Sequence, residues 1–191
     1  MVLDTKAILL DEAEALFAAR GYDAVAVQEI VAAAGVTKPT LYHHFGSKRG
    51  LLDALLHRRF ASFQEKLEDA AGYDHDLTQA LEAIVDAYTN FAQDCPRFFR
   101  LQRSMSIAPP DSEAYQAVAP YLRWQKQTLE QLFIDAVPDH GNLKGHHQLY
   151  ALTLLGMVLN VIDHSYQEGL PFDDALVRQT VKQFMHGIYA L

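Results

Sequence analysis

Apolar residues recur three or four positions apart along most of this 191-residue chain. This is the spacing of an amphipathic α-helix, and no segment stands out with the alternation that marks a β-strand. The pattern therefore predicts an all-α protein. The predicted helices run from a cap at Thr5 to Gly21, over 27–34 and 38–45, from a cap at Ser47 towards Leu67, and over 76–94, 96–105, about 112–137 with a bend near Pro120, 146–168 and 173–190.

Composition excludes several classes of protein. The single cysteine, Cys95, excludes a disulfide framework and a cysteine-based zinc finger. The formal net charge of −8 argues against bulk attraction to nucleic acid, so DNA binding would need a local surface. The longest apolar stretch, 149–162, is too short to cross a bilayer, and charges interrupt the first 20 residues where a signal peptide would be apolar. We expect a cytoplasmic protein.

Two short helical segments joined by Ala34-Gly35-Val36-Thr37 predict a helix-turn-helix. In the second segment Leu41 and Phe45 form a buried edge, while polar side chains near its start are free to enter the major groove of DNA. Basic residues also concentrate over 38–59. The predicted DNA contacts are Thr37, Lys38, Pro39, Thr40, Tyr42, His43 and His44 on the recognition helix, with Lys48 on a phosphate.

The chain from Leu9 to Leu56 resembles the DNA-binding domain of the TetR/AcrR family of transcriptional regulators. The resemblance rests on Ala18–Tyr22, Ile30, the run from Ala33 to Lys48, and the pair Leu51-Leu52. It implies a homodimer of all-α subunits, each with a three-helix head, a connecting helix and a larger body that binds a ligand and dimerises. It also implies repression that a small molecule relieves.

The sequence departs from the family pattern before the recognition helix. Ala26 stands where the family usually has a Ser or Thr cap, and losing such a cap costs about 1 kcal/mol. Gln28 occupies a position that is often basic or in contact with phosphate, so Gln28 joins the predicted DNA-binding residues. No basic arm precedes Lys6. These departures weaken the expected grip on phosphate but leave the recognition helix intact.

The predicted organisation is a DNA-binding domain over 1–46, a connecting helix over 47–71, and an effector-binding and dimerisation domain over 72–191. A ligand between body helices would tilt the connecting helix and change the separation of two recognition helices, which must match successive major grooves about 34–36 Å apart. The last two helices carry apolar stripes suited to a four-helix dimer interface. The predicted interface residues are Leu152, Leu155, Gly156, Leu159, Val177, Val181, Phe184 and Ile188.

The body is rich in aromatic residues with polar residues between them, which is typical of an apolar effector pocket with a few orienting groups. The same aromatic residues could instead form only core. The predicted pocket residues are Tyr88, Phe91, Phe98, Met105, Tyr121, Trp124, Gln125, Thr128, Asn160 and His164, for a small apolar or aromatic effector.

The sequence contains little that indicates a metal, cofactor or catalytic site. Adjacent histidines such as His146-His147 point in different directions on a helix, so neither a metal site nor a cofactor is predicted. Cys95 is expected to pack at a helix junction, and the sets Arg58/Arg59 and Arg97/Arg100/Arg103 are expected to be solvated or in salt bridges. Two alternatives remain open: an effector-independent helix-turn-helix protein, and a helical enzyme or carrier.

Overall fold

A computed structural model describes residues 4–187, and within this range the chain forms nine α-helices and no β-strand. A short 3₁₀ turn at Gly141–Leu143 precedes the eighth helix. The helices are α1 (Thr5–Arg20), α2 (Val27–Ala33), α3 (Lys38–Phe45), α4 (Lys48–Ala70), α5 (Leu77–Asp94), α6 (Pro96–Ser106), α7 (Glu113–Asp135), α8 (His147–Glu168) and α9 (Asp174–His186). The all-α prediction is confirmed.

The first helix begins one residue earlier than the sequence predicted. Asp4, not Thr5, is the N-cap, because its carboxylate accepts the amides of Lys6 and Ala7 at 3.1 and 3.3 Å. The predicted cap at Ser47 is confirmed, since its hydroxyl accepts the Gly50 amide at 2.9 Å. These side-chain oxygens satisfy backbone donors that a helix start leaves unpaired.

The last helix, α9, ends at His186, where Gly187 adopts a positive φ of 64°. The sequence predicted a helix that continues to residue 190. The predicted interface residue Ile188 lies outside the described residues.

The backbone divides into two compact units. The N-terminal unit comprises Met1–Ala61 with Cys95–Leu122, and the C-terminal unit comprises Ser62–Asp94 with Arg123–Leu191. Helices α4 and α7 each continue from one unit into the other. The division differs from the boundaries predicted after residues 46 and 71, because α6 packs against α1 and so joins the N-terminal helices.

The core of the N-terminal unit follows the predicted apolar spacing. Leu9, Ala13 and Phe17 line the buried face of α1, and Leu41 is fully buried on α3. A second layer forms around Phe60 of α4, whose ring stacks on Tyr121 with centroids 4.3 Å apart. These contacts give the helix-turn-helix a rigid support.

The core of the C-terminal unit is built around Phe63 of α4. Its ring stacks on Phe91 with centroids 4.3 Å apart and meets Tyr88 edge-on at 5.0 Å. Helices α5, α8 and α9 pack together beside this cluster. Within residues 4–187, no helix combines the length and apolar character needed to cross a bilayer.

Candidate nucleic-acid interface

The helix-turn-helix is held by a few buried residues and one turn. Ile30 and Val31 anchor α2, and Leu41 anchors α3. Gly35 takes the left-handed conformation (φ 65°), which glycine adopts without strain, and the Val36 amide then closes back on the Val31 carbonyl at 2.9 Å. The short α3 thus has a fixed direction, with its polar residues on the outside.

The start of α2 compensates for the missing Ser or Thr cap. The Glu29 carboxylate accepts the Ala26 amide at 2.8 Å, which is half of a capping box. Arg20 forms an ion pair with Glu29 and also donates to the Ala24 carbonyl at 3.0 Å. The hydrogen bond from Arg20 holds the pKa of Glu29 below its usual value. These contacts fix the backbone at the start of α2. Arg20 and Glu29, which make them, were not predicted as site residues.

Thr37 occupies the predicted N-cap position of α3 but does not cap it with its side chain. Its hydroxyl lies 2.9 Å from the hydroxyl of Thr40 instead. Pro39 has no amide to donate, and the Thr40 amide already bonds the Thr37 main-chain carbonyl at 3.1 Å. The two threonine hydroxyls are therefore paired at the exposed start of the recognition helix.

The structure presents most of the predicted DNA-binding side chains to solvent. Tyr42 is 46% exposed, an unusual degree for a tyrosine in this chain. Gln28, Thr37, Lys38, Pro39, His43 and His44 are exposed as well, while Thr40 is half-buried. Phe45, predicted as a buried anchor, is only half-buried, so Leu41 is the main anchor of α3.

Lys48 has a defined environment on the first turn of α4. Its ammonium lies 4.1 Å from the centroid of the Tyr22 ring and 5.9 Å from that of Phe17. Partial burial lowers the pKa of Lys48, while the Asp23 and Glu113 carboxylates act in the opposite direction. Tyr22 is buried and donates its hydroxyl to Glu113 at 2.7 Å, and burial raises its pKa. Lys48 was a predicted DNA contact, whereas Tyr22 and Glu113 were not predicted site residues.

The end of α3 lies directly against the start of α4. A Cβ added to Gly50 would overlap the main-chain carbonyl oxygen of Phe45. Glycine at this position is therefore required for the close approach of the two helices. No sequence pattern distinguishes Gly50 from a glycine that merely weakens a helix.

The predicted pocket residues fall in both compact units. Phe98, Met105 and Tyr121 lie in the N-terminal unit, where Phe98 meets Phe60 with ring centroids 5.3 Å apart. In the C-terminal unit, Tyr88, Phe91 and Trp124 surround Phe63. The Tyr88 hydroxyl donates to the buried Gln125 side chain at 3.0 Å, and Thr128 is half-buried.

Asn160 and His164 do not belong to this cluster. The sequence predicted that they are buried and converge on a ligand, but both are exposed. The buried face of α8 is formed by Ala151, Leu154, Leu155, Val158, Ile162 and Ser165 instead. The four-residue spacing of Asn160 and His164 does place them on one side of α8, but that side faces solvent.

The predicted dimer stripe divides into an exposed and a buried part. Leu152 is 44% exposed, Leu159 is half-buried, and no atom lies within 4 Å of a Cβ placed on Gly156. Leu155, Val177 and Val181 are buried within the chain itself, so they present less surface to a partner than Leu152 does. Phe184 is half-buried against Phe133 and Tyr150. Leu149, which was not predicted, is 63% exposed on α8.

Arg58 and Arg59 form the salt bridges that the sequence allowed. Arg58 contacts Asp11 and Arg59 contacts Glu14, both at 2.6 Å. Arg59 also lies 3.9 Å from the sulfur of the half-buried Cys95. Among residues 4–187 there is no group of three or more histidine, cysteine or acidic side chains placed to hold a metal ion.

Comparison with known proteins identifies the helix-turn-helix. Residues 9–55 match the family model described as bacterial regulatory proteins, tetR family. The chain is 29% identical over 181 residues to the transcriptional activator FasR of Mycolicibacterium smegmatis, covering 94% of this chain and 80% of FasR. It is 27% identical over 167 residues to the transcriptional repressor ComR of Escherichia coli, covering 84% of this chain and 78% of ComR. These relatives are regulators rather than enzymes.

Solved structures share the fold at low identity. The regulator FadR of Bacillus subtilis, solved in complex with stearoyl-CoA, matches with a TM-score of 0.78 and 18% identity, covering 96% of this chain and 99% of FadR. A TetR-like regulator of Rhodococcus sp. RHA1 matches with a TM-score of 0.77 and 20% identity, covering 98% and 97% of the two chains. The family model covers the helix-turn-helix, and the relatives extend over most of the chain. Residues 9–55 therefore form a DNA-binding domain of the bacterial tetR family, and over most of its length the chain is similar to transcriptional regulators.

Proposed function

We propose that α3 reads operator DNA in the major groove and that Lys48 holds an adjacent phosphate. The observation that carries this proposal is the exposed row of polar side chains on α3 around the single buried anchor Leu41. Lys and Thr side chains reach base edges or phosphates, while Tyr and His can donate to phosphate oxygens. Operator binding would place the protein in the cytoplasm.

The distribution of charge supports a local DNA-binding surface on an acidic protein. The N-terminal unit has ten Lys and Arg against nine Asp and Glu, and the C-terminal unit has six against fifteen. The C-terminal unit thus has a net charge of −9, and the N-terminal unit has a net charge of +1. The head can approach the phosphate backbone without a large like-charge penalty, and the acidic part disfavours binding elsewhere on the molecule.

We infer that the protein acts as a homodimer through α8. Leu149, Leu152, Gly156 and Leu159 follow one another at three- and four-residue spacing on the exposed side of this helix. Apolar side chains around an open glycine permit close helix packing, and a two-fold axis would bring the same stripe of a second copy against it. Two subunits are also needed to place recognition helices in successive major grooves.

We propose that a small apolar or amphipathic effector controls DNA binding, with repression as the default state. The proposed contact site is the cluster of Tyr88, Phe91, Trp124 and Gln125 around Phe63. Phe63 belongs to α4, and Trp124 donates its indole NH to Glu68 of the same helix at 2.9 Å. A ligand that opens this cluster would displace α4, which begins immediately after the recognition helix.

The similar proteins support control by an effector and indicate which compounds to test first. FadR, which shares the fold, was solved with stearoyl-CoA, so an acyl chain is a reasonable first probe. ComR is a repressor and FasR an activator, so the direction of control needs its own measurement. Our proposal of repression follows the resemblance of the head rather than any feature of the body.

The test uses Trp124, the single tryptophan of the chain, as an internal reporter. Stearoyl-CoA, a free long-chain fatty acid and an aromatic carboxylic acid are screened for quenching of Trp124 fluorescence, for thermal stabilisation and for release of operator DNA. We expect one chemical class to produce all three effects. The variant Trp124→Ala should weaken stabilisation and release, whereas Gln127→Ala, at an exposed position on α7, should not. DNA binding that is indifferent to every compound would favour the effector-independent regulator.

A further inference from the structure

The first residue of α7 contacts two separate segments of the DNA-binding head. The Glu113 carboxylate accepts the Tyr22 hydroxyl at 2.7 Å, and its main-chain carbonyl accepts from the Arg49 guanidinium at 3.2 Å. Tyr22 lies between α1 and α2, and Arg49 is the second residue of α4. All three residues belong to the N-terminal unit. One residue of α7 thus contacts the segments that precede and follow the helix-turn-helix along the chain.

Tyr22 uses its two ends for two different contacts. While its hydroxyl is held by Glu113, its ring carries the Lys48 ammonium at 4.1 Å from the centroid. A cation within about 6 Å of an aromatic face is attracted to it. Phe17 packs against the same ring with centroids 5.2 Å apart, and Tyr22 is only 3% exposed, so the ring has little freedom to turn.

Glu113 is exposed, but the main chain around it is well defined. The Ser112 hydroxyl accepts the Tyr115 amide at 3.2 Å, so the first turn of α7 is capped. Arg49 is also tied to Asp53 of its own helix at 2.9 Å. The contacts therefore run from the start of α7 through Glu113 and the buried Tyr22 to Lys48.

We propose that Glu113 is a positioning residue for DNA binding, which fixes the Tyr22 ring and thereby sets the Lys48 ammonium in place for its phosphate. The inference rests on the proposed function, in which Lys48 contacts DNA. Helix α7 continues to Asp135 and carries Trp124 and Gln125 of the proposed effector site. Movement of α7 would therefore reach the DNA-binding surface through Glu113, in addition to any movement of α4.

The experiment measures affinity for an operator that the wild-type protein selects from a random-sequence DNA pool, over a series of salt concentrations. Glu113→Ala removes the acceptor, and Tyr22→Phe removes the hydroxyl but keeps the ring. We expect each to weaken binding about five- to tenfold, and the double variant to bind no more weakly than either single one. Glu113→Gln, whose amide oxygen still accepts the hydroxyl, should stay within about twofold of wild type.

Background and control variants separate positioning from general stability. In a Lys48→Ala background, Glu113→Ala should lower operator affinity by less than about twofold, because the effect of Glu113 acts through the lysine. Gln116→Ala, exposed one turn further along α7, should bind like wild type. Thermal melting checks that each variant is folded; if Glu113→Ala is not, Tyr22→Phe with and without Lys48→Ala decides the question.

Two results would overturn the inference for different reasons. Additive effects of Glu113→Ala and Lys48→Ala, with a salt slope reduced by Lys48→Ala, would show that Lys48 contacts phosphate but that Glu113 does not position it. An unchanged salt slope for Lys48→Ala would contradict the phosphate contact of the proposed function, and the role of Glu113 with it.

Discussion

Glu14 is a buried carboxylate that is held mainly by one arginine. Its carboxylate is 7% exposed on the buried face of α1 and accepts from Arg59 at 2.6 Å. A buried carboxylate without a cation keeps its desolvation cost and loses the compensating attraction. The Arg59 side chain, which is 31% exposed, therefore stabilises α1 against α4 more than an ordinary surface arginine would.

Replacing Arg59 with methionine should lower the free energy of unfolding by about 2 kcal/mol, because buried Glu14 loses its hydrogen-bonded cation and keeps only the more distant Arg58, at 3.9 Å. Urea denaturation measures this change. Adding Glu14→Gln should restore part of the loss, while Arg100→Met, at an exposed position on α6, should change stability little. Equal effects of Arg59→Met and Arg100→Met would contradict the importance of the pair.

His75 forms a second ion pair, at an exposed position in the C-terminal unit. Its Nδ1 lies 2.7 Å from the Asp139 carboxylate, which also accepts the Tyr73 hydroxyl at 2.9 Å. The hydrogen bond and charge of Asp139 raise the pKa of His75, and His75 in turn lowers the pKa of Asp139. The stabilising effect of the charged histidine is complete below its ordinary pKa and is lost as the pH rises through the raised one.

An NMR titration of the His75 ring should therefore give a midpoint above the ordinary histidine value of about 6.5. In Asp139→Asn the midpoint should fall back towards that value. In Tyr73→Phe most of the rise should remain, because the carboxylate is still present. A His75 midpoint that is the same in wild type and in Asp139→Asn would refute this assignment.

At the level of elements, α3 and α4 approach each other closely at the corner between them. Gly50 on α4 faces the Phe45 carbonyl at the end of α3, with no room for a Cβ. An alanine in the first turn of a helix is ordinarily more favourable than glycine. At position 50 we expect the opposite, because alanine should destabilise the protein relative to glycine.

Gly50→Ala should lower the free energy of unfolding by about 1–3 kcal/mol, because α3 must move away from α4. It should also weaken operator binding, since α3 carries the recognition residues. Gly141→Ala is the matched control, because its Cβ would meet open space and its effect should stay within about 0.5 kcal/mol. A stabilising Gly50→Ala would show that the corner relaxes without cost.

The helices themselves were largely predictable from sequence, because glycine, proline and capping residues mark their ends. Gly21, Ser47 and Pro96 each lie at or beside a helix boundary in the structure. The first boundary was misplaced by one residue because Asp4 and Thr5 are both good caps, and only the hydrogen bonds distinguish them. Spacing alone also cannot show that α6 packs with α1.

The candidate DNA-binding surface was predictable for a related reason. The exposed side of the short α3 follows from its buried anchor Leu41, whereas α8 is apolar on several sides, so spacing did not show which side of it faces solvent. The expectation that Asn160 and His164 are buried was wrong for that reason. Tyr22, Glu113 and Gly50 were missed because their roles depend on contacts between segments that are distant along the chain.

For the whole molecule, the proposed dimer makes a clear prediction about assembly. Leu152→Asp places a charge in the exposed apolar stripe of α8 and should convert a dimer into a monomer, because an unpaired charge in an interface is strongly unfavourable. Light scattering at micromolar concentration measures the mass directly. Gln127→Asp, at an exposed position on α7 and so away from the stripe on α8, is the control. A wild-type protein that is already monomeric would contradict the proposed interface.

Operator binding by the intact protein tests the central proposal most directly. The measurement is a mobility-shift titration of selected operator DNA over a range of salt concentrations, with wild type, Lys48→Ala, Lys38→Ala and the double variant Tyr42→Ala, Lys48→Ala. We predict that Lys48→Ala weakens binding to all sequences and reduces the salt slope by about one, and that Lys38→Ala also changes sequence preference. The double variant should lose operator binding while it remains folded. Unchanged operator affinity in the folded double variant would contradict the assignment of α3 and Lys48 as the DNA-binding surface.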